Sequence, residues 1–183
     1  MIQGQAAAPE SDVAAKVGAF CYDDAVQAYA ALSAITATLR ASGLTVRGLL
    51  QRPGETQSNG KPSLWLEDIG SGRVIRLDAP RGPGARACIL DTDALAQGSL
   101  LLRQAIEAQP DLLIVSRFGS VEAEGGGLRA EIAEAVCSGL AVLIPVRTAL
   151  LPDLGVFLGC APTLLPAHPA GVADWTEQML ALA

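Results

Sequence analysis

The stretch Asp111-Leu112-Leu113-Ile114-Val115-Ser116-Arg117-Phe118-Gly119 decides the reading of this chain. Four apolar residues in a row, the last two β-branched, predict a short strand buried on both faces. The run then breaks into Ser120-Val121-Glu122-Ala123-Glu124-Gly125-Gly126-Gly127, and Leu128 opens a helical pattern. In an open parallel sheet, ligands bind at the carboxyl ends of the strands. Arg117 and Glu122 therefore fall where recognition or chemistry is expected.

Outward from that strand the chain alternates. Val17 to Tyr22 reads as a buried strand, and Asp23 or Asp24 can cap the helix after it, because a carboxylate there accepts orphan backbone N–H groups. That helix is expected to run to about Ala41, burying a face of Val26, Tyr29, Ala30, Leu32, Ile35 and Leu39, with Ser42-Gly43 as its stop. Leu44 to Gln51 is a second strand, so a right-handed βαβ unit opens the chain. Arg52 to Pro62 is turn-rich. Ser63–Asp68 and Arg73–Leu77 around Gly70-Ser71-Gly72 form an antiparallel hairpin. A Gly/Pro/Arg loop follows, carrying Arg81 and Arg86, and Cys88-Ile89-Leu90 is a short extended piece. Asp91, Thr92 or Asp93 caps a helix that Pro110 ends. After the central strand come a helix from Leu128 to Cys137, a strand from Leu140 to Val146, a short helix from Leu150 to Leu158 and an amphipathic tail from Val172 to Leu182. The expected organisation is a flexible leader over 1–15 and one α/β domain over 16–183, with a hairpin insertion at about 60–78.

Half of the 183 residues are hydrophobic and the formal net charge is −6, a balance that opposes nonspecific nucleic-acid binding. The four cysteines, Cys21, Cys88, Cys137 and Cys160, form no CxxC pair, and His168 is the single histidine, so no structural metal site is expected. They read as small buried residues of a reducing compartment, with Cys21 and Cys88 as the alternative site thiols beside loops. No signal peptide is visible and no apolar run nears the roughly 20 residues that span a bilayer. A cytoplasmic location is the expectation.

The first strand–loop–helix lacks a phosphate-binding loop. Such a loop needs glycines for close backbone approach, a Lys for phosphate and a Ser or Thr for magnesium. Cys21-Tyr22-Asp23-Asp24-Ala25-Val26-Gln27-Ala28 has none of these. Two carboxylates stand there instead, and like charges at about 4 Å repel by about 4 kcal/mol at an effective dielectric of 20. The magnesium-organising Asp at the end of the central strand falls at Ser116, and Arg117 follows it. Both changes remove metal affinity and favour an anion.

The order of elements resembles the small P-loop nucleoside-triphosphatases, in which the central strand ends in Asp-Glu-Ile-Gly with a Glu shortly after. Here Ser116-Arg117-Phe118-Gly119 and Glu122 stand in that register. The chain more closely resembles an uncharacterised bacterial family of unknown function, whose members sometimes carry the names of nucleoside-triphosphatases or of ATP-binding proteins linked to molybdenum transport. The residues that carry this resemblance are Gly82-Pro83-Gly84-Ala85-Arg86, Cys88, Leu90-Asp91, and then Arg117-Phe118-Gly119, Glu122-Ala123-Glu124-Gly125 and Gly127-Leu128-Arg129. The resemblance implies a three-layer α/β/α sandwich with a mostly parallel sheet of P-loop type, in which both Walker motifs are degenerate.

The candidate ligand residues follow. Arg117 fits an oxyanion through its planar fork, or makes a structural salt bridge to Glu122 or Glu124. Glu122 orients Arg117 or is a solvated loop acid. Gly125, Gly126 and Gly127 offer bare N–H groups before a helix, or form a plain turn. Arg86 and Arg81 lie in a loop able to fold over the site, and Cys88 beside Arg86 is a thiol whose pKa that cation would lower. Arg129 is a first-turn anion ligand or an exposed helix charge. Asp23 and Asp24 are capping groups or site acids, and Gln51 ends the second strand within reach of a ligand. Trp65 stacks on a base or packs in the hairpin, and His168 reads as surface.

Three functions compete. One is a noncatalytic module binding a small anion or nucleotide through Arg117, Arg86 and the glycine loop, which the loss of both motifs favours. A second is a hydrolase or transferase using Asp23, Asp24, Glu122 and Arg117. A third is an interaction protein whose hairpin edge adds strands or dimerises.

Overall fold

The computed structural model describes residues 16–56, 62–78 and 91–182, so the leader expected over 1–15 lies outside it. Among the described residues, seven strands form a sheet: β1 (Val17–Tyr22), β2 (Val46–Thr56), β3 (Pro62–Asp68), β4 (Val74–Arg76), β5 (Leu112–Ile114), β6 (Val142–Arg147) and β7 (Thr163–Leu165). Their order is β4-β3-β2-β5-β6-β1-β7. The run from β2 to β7 is parallel, and β3 and β4 add antiparallel at one edge. The hairpin read from the sequence thus extends the sheet.

The helices are α1 (Ala25–Ala41), α2 (Thr92–Glu107), α3 (Ser120–Ala123), α4 (Arg129–Cys137), α5 (Leu151–Leu158) and α6 (Pro169–Ala181). Helices α1 and α6 cover one face, where Leu32, Ile35 and Trp175 pack with Phe20, Leu50, Ile114 and Leu143. Helices α2, α4 and α5 cover the other, where Leu102, Ile132 and Leu154 pack with Ala19, Leu49, Leu113 and Ile144. Alternate residues of β1, β2, β5 and β6 therefore feed two separate cores, as strands buried on both faces require. Leu112, Leu113 and Ile114 of the central strand have no exposed surface, and burying each such side chain stabilises the fold by about 1.5–3 kcal/mol. This is a three-layer α/β/α sandwich of P-loop nucleoside-triphosphatase type. No helix among the described residues is long and apolar enough to cross a membrane.

Sheet topology positions the site. The chain leaves β1 over the α1 face toward β2, and leaves its neighbour β6 over the opposite face through α5 toward β7. Adjacent strands whose connections depart on opposite faces open a crevice at their carboxyl ends. Caps fix the helix starts. Asp24 caps α1, and Asp91 caps α2 by accepting from Asp93 N at 2.9 Å and Ala94 N at 3.1 Å. Gly48 allows β2 to lie close to β5: its φ is 115°, and a Cβ there would strike the Ile114 carbonyl.

Several expectations are corrected. β2 does not end at Gln51 but runs through the turn-rich Arg52-Pro53-Gly54 to Thr56. Ile69 N donates to Gly48 O at 2.9 Å, so β2 residues of even number bond β3. Pro53 faces away from β3, and β5 pairs only with Val46–Gly48, so its missing N–H breaks no ladder bond. On α1 the buried residues are Ala28, Leu32, Ile35, Thr36 and Leu39, while Val26, 63% exposed, and Ala30, also exposed, each lie two residues from Ala28 and so on the opposite side of the helix. The loop expected before α4 contains the one-turn helix α3, and β7 lies in a segment for which the sequence reading named no element. The cysteines are not uniformly buried: Cys137 is exposed, and Cys21 and Cys160 are half-buried. Cys88 lies outside the described residues.

Candidate functional site

The first strand end is closed by its own chain. Asp24 Oδ1 accepts from Val26 N at 2.8 Å and from Gln27 N at 2.9 Å. These are the donors a phosphate would use at a helix N-terminus, and a carboxylate already fills them. Asp23 is exposed, and its carbonyl oxygen lies 3.5 Å from Arg147 Nη1. Burial pushes the Cys21 thiol up, and the Asp23 charge adds to that, so this thiol is held in its unreactive form.

β5 runs out into Ser116, which is buried. With Tyr22, Tyr29, Gln51 and Pro145 it lines a cavity of about 20 Å³ between the strand ends and α1, enough for one water molecule. Tyr29 Oη donates to Glu67 Oε2 at 2.6 Å, and this bond, with burial, holds the phenol above its usual range. Arg117 comes next. It is half-buried at the carboxyl end of the central strand and makes no hydrogen bond or ion pair with any described residue. The salt bridge to Glu122 or Glu124 that its sequence position allows does not form.

Glu122 is committed elsewhere. It is 8% exposed; Oε2 accepts from Gly119 N at 2.9 Å and Oε1 from Leu128 N at 3.2 Å. It is neither a solvated acid nor an orienter of Arg117, but a clamp across its own loop. The glycines serve that loop too. Gly125 N donates to Glu122 O at 3.2 Å and Gly126 N to Val121 O at 2.8 Å, so two of the three amides offered to an anion are used. Gly127 sits at φ 62° against the Glu122 carboxylate, where a Cβ would collide with Oε1. Arg129 Nη1 donates to Glu122 O at 2.8 Å, and the guanidinium carbon lies 4.4 Å from the Phe157 ring centroid. Phe157 in turn packs on Phe118 at 5.3 Å. These contacts tie the loop after β5 to α5.

Arg81, Arg86 and Cys88 lie outside the described residues. Gln51 reaches the small cavity, Trp65 lies in the hairpin, and His168 is exposed and caps α6 through Nδ1, which accepts from Ala170 N at 3.2 Å. Sequence reasoning missed Arg147. It is the last residue of β6, whereas Arg117 follows three residues after β5; Arg147 is exposed and lies 5.9 Å from the Tyr22 ring centroid. The rule that found Arg117, a polar residue closing a buried apolar run, would have found it. Among the described residues no group of three or more His, Cys, Asp or Glu side chains gathers to hold a metal ion.

The chain is 33% identical over 134 residues to the molybdenum import ATP-binding protein ModC 2 of Bradyrhizobium diazoefficiens. That match takes in 73% of this chain but spans 15% of the relative's length. A family described as proteins of unknown function, DUF2478, matches residues 17–175, which run from the first residue of β1 into α6. The chain belongs to the DUF2478 family.

Proposed function

We propose that this protein is a noncatalytic P-loop-like module that binds a small anion, or the phosphate end of a nucleotide, at the carboxyl ends of its parallel strands. The observation that carries this reading is Arg117: a guanidinium unengaged by any described residue stands beside Ser116, where a magnesium-holding carboxylate would be. Arg147 brings a second cation to the adjacent strand end. A planar guanidinium binds an oxyanion bidentately without a metal. Hydrolysis has little support, because Glu122 is consumed in capping and Asp24 fills the α1 amides. The relative's name speaks of ATP and molybdenum, so ATP and an oxyanion of that metal, molybdate, join the anions worth testing.

A thermal-shift titration with phosphate, sulfate, molybdate and ATP, each with and without Mg²⁺, tests the reading. At least one anion is expected to raise the melting temperature equally in both conditions. No response to any of them, or stabilisation that requires Mg²⁺, contradicts it.

A further inference from the structure

Away from the strand ends, one row of side chains crosses the hairpin. Arg52 of β2 stands opposite Trp65 of β3, and Trp65 opposite Arg76 of β4. Directly opposed residues share one face of a sheet, with Cβ atoms about 5 Å apart. Trp65 thus stands between two arginines in the row, and the Arg76 guanidinium lies 5.7 Å from its ring centroid. The row lines a groove of about 820 Å³ together with Gly54, Glu55, Thr56 and Ser63. That volume is of the size that receives small ligands.

The tryptophan is held in place. Its Nε1 donates to Ser63 Oγ at 3.1 Å, and Ser63 Oγ donates to Glu55 O at 3.2 Å. Gly54 lies so close beneath that a Cβ there would strike both the Ser63 hydroxyl and the indole nitrogen. The two cations differ. Arg76 pairs with Asp78, Nη2 to Oδ2 at 3.2 Å, whereas Arg52 is exposed and bonds no described residue. Among the described residues that line the groove, Glu55 is the one acid, against two arginines.

We propose that this groove binds an aromatic anion of the nucleotide class, its ring stacked on Trp65 and its charged group on Arg52. Aromatic stacking on indole tolerates any planar π-face, and a nearby arginine adds charge recognition. The site is separate from Arg117 and does not depend on the reading above.

The test uses the Trp175→Phe protein. Trp175 is buried and its Nε1 has no partner, so the change breaks no hydrogen bond and leaves Trp65 as the only indole. The probes are AMP, phenyl phosphate, adenosine and inorganic phosphate. Saturable quenching of Trp65 fluorescence by AMP is expected, with a weaker response to adenosine and none to inorganic phosphate. A response to phenyl phosphate equal to that of AMP assigns the site to aromatic phosphates in general, and a preference for AMP assigns it to nucleotides. Arg52→Ala, at an exposed position, is expected to weaken the AMP-dependent quenching of Trp65 about tenfold. Calorimetry on Trp65→Ala is expected to show a loss of about tenfold or more. The proposal is overturned by no saturable quenching up to about 10 mM of either aromatic phosphate. An equal response to inorganic phosphate, or undiminished binding in Arg52→Ala, also overturns it.

Discussion

The Glu122 carboxylate accepts a hydrogen bond from the backbone N–H of Leu128 at 3.2 Å, across the glycine turn that separates the two residues. Its other oxygen accepts from Gly119 N at 2.9 Å. One buried side chain therefore joins the end of the central strand to the start of α4. Removing it strands two donors in a site with little access to water. Glu122→Ala is expected to destabilise the protein by about 2–4 kcal/mol, and Glu122→Gln by less, since the amide oxygen still accepts one bond. Urea unfolding measures both. Wild-type stability in Glu122→Ala would contradict the clamp.

Gly127 and Gly125 both have positive φ, yet they differ in what surrounds them. A Cβ on Gly127 meets the Glu122 carboxylate, whereas one on Gly125 meets nothing within 4 Å. Gly125→Ala is expected to cost about 1 kcal/mol from backbone strain alone. Gly127→Ala should cost clearly more, because the clamp must shift as well. Equal losses in a parallel denaturation series would show that the carboxylate does not hold the turn.

The two arginines flanking this loop should separate by assay. Arg129 bonds the Glu122 carbonyl and lies over Phe157. Arg129→Ala is expected to lower stability by about 1–2 kcal/mol while leaving anion binding in place. Arg117 has no such contacts among the described residues, so Arg117→Ala should change stability by less than about 0.5 kcal/mol. A melting curve and an anion titration on each variant check the pair.

Acid should weaken the packing of α2 on α4. Burial would raise the Glu131 carboxyl, but the hydrogen bond from Ser99 and the pairing with Arg103 outweigh it and hold the group below its ordinary value. A carboxyl lowered in the folded state contributes stability that is present above its unfolded pKa and lost as pH falls through the folded one. Stability should therefore decline as pH drops below about 4.5. Asp78, lowered by its bond to Arg76 against a burial effect that raises it, adds to the decline below about 3.8. Glu131→Gln should flatten the upper part of this profile; an unchanged slope between pH 5 and 3 would remove Glu131 from the account.

Much of the fold is legible in the residues because local and tertiary demands agree. Val17–Tyr22 is bounded as a strand by its apolar run, and Asp24 and Asp91 cap the helices that their positions suggest. Where they disagree, the sequence misleads. Pro53-Gly54 reads as a turn, yet continues β2 because the neighbouring edge is open there. Arg117 is visible as a polar break in an apolar run. The fate of Glu122, Gly125, Gly126 and Arg129 is not, because their partners are set by how the loop folds back on itself and on Phe157. Three-residue β7 carries too short a pattern to be read alone.

The central claim is that Arg117 recognises an anion without a metal. Isothermal titration of the wild-type and Arg117→Ala proteins with inorganic phosphate and with ATP, in EDTA, tests it most directly. The account predicts saturable binding of at least one of them to wild type, weakened about tenfold or more in the variant. No binding to wild type, or equal affinity in the two proteins, would contradict it.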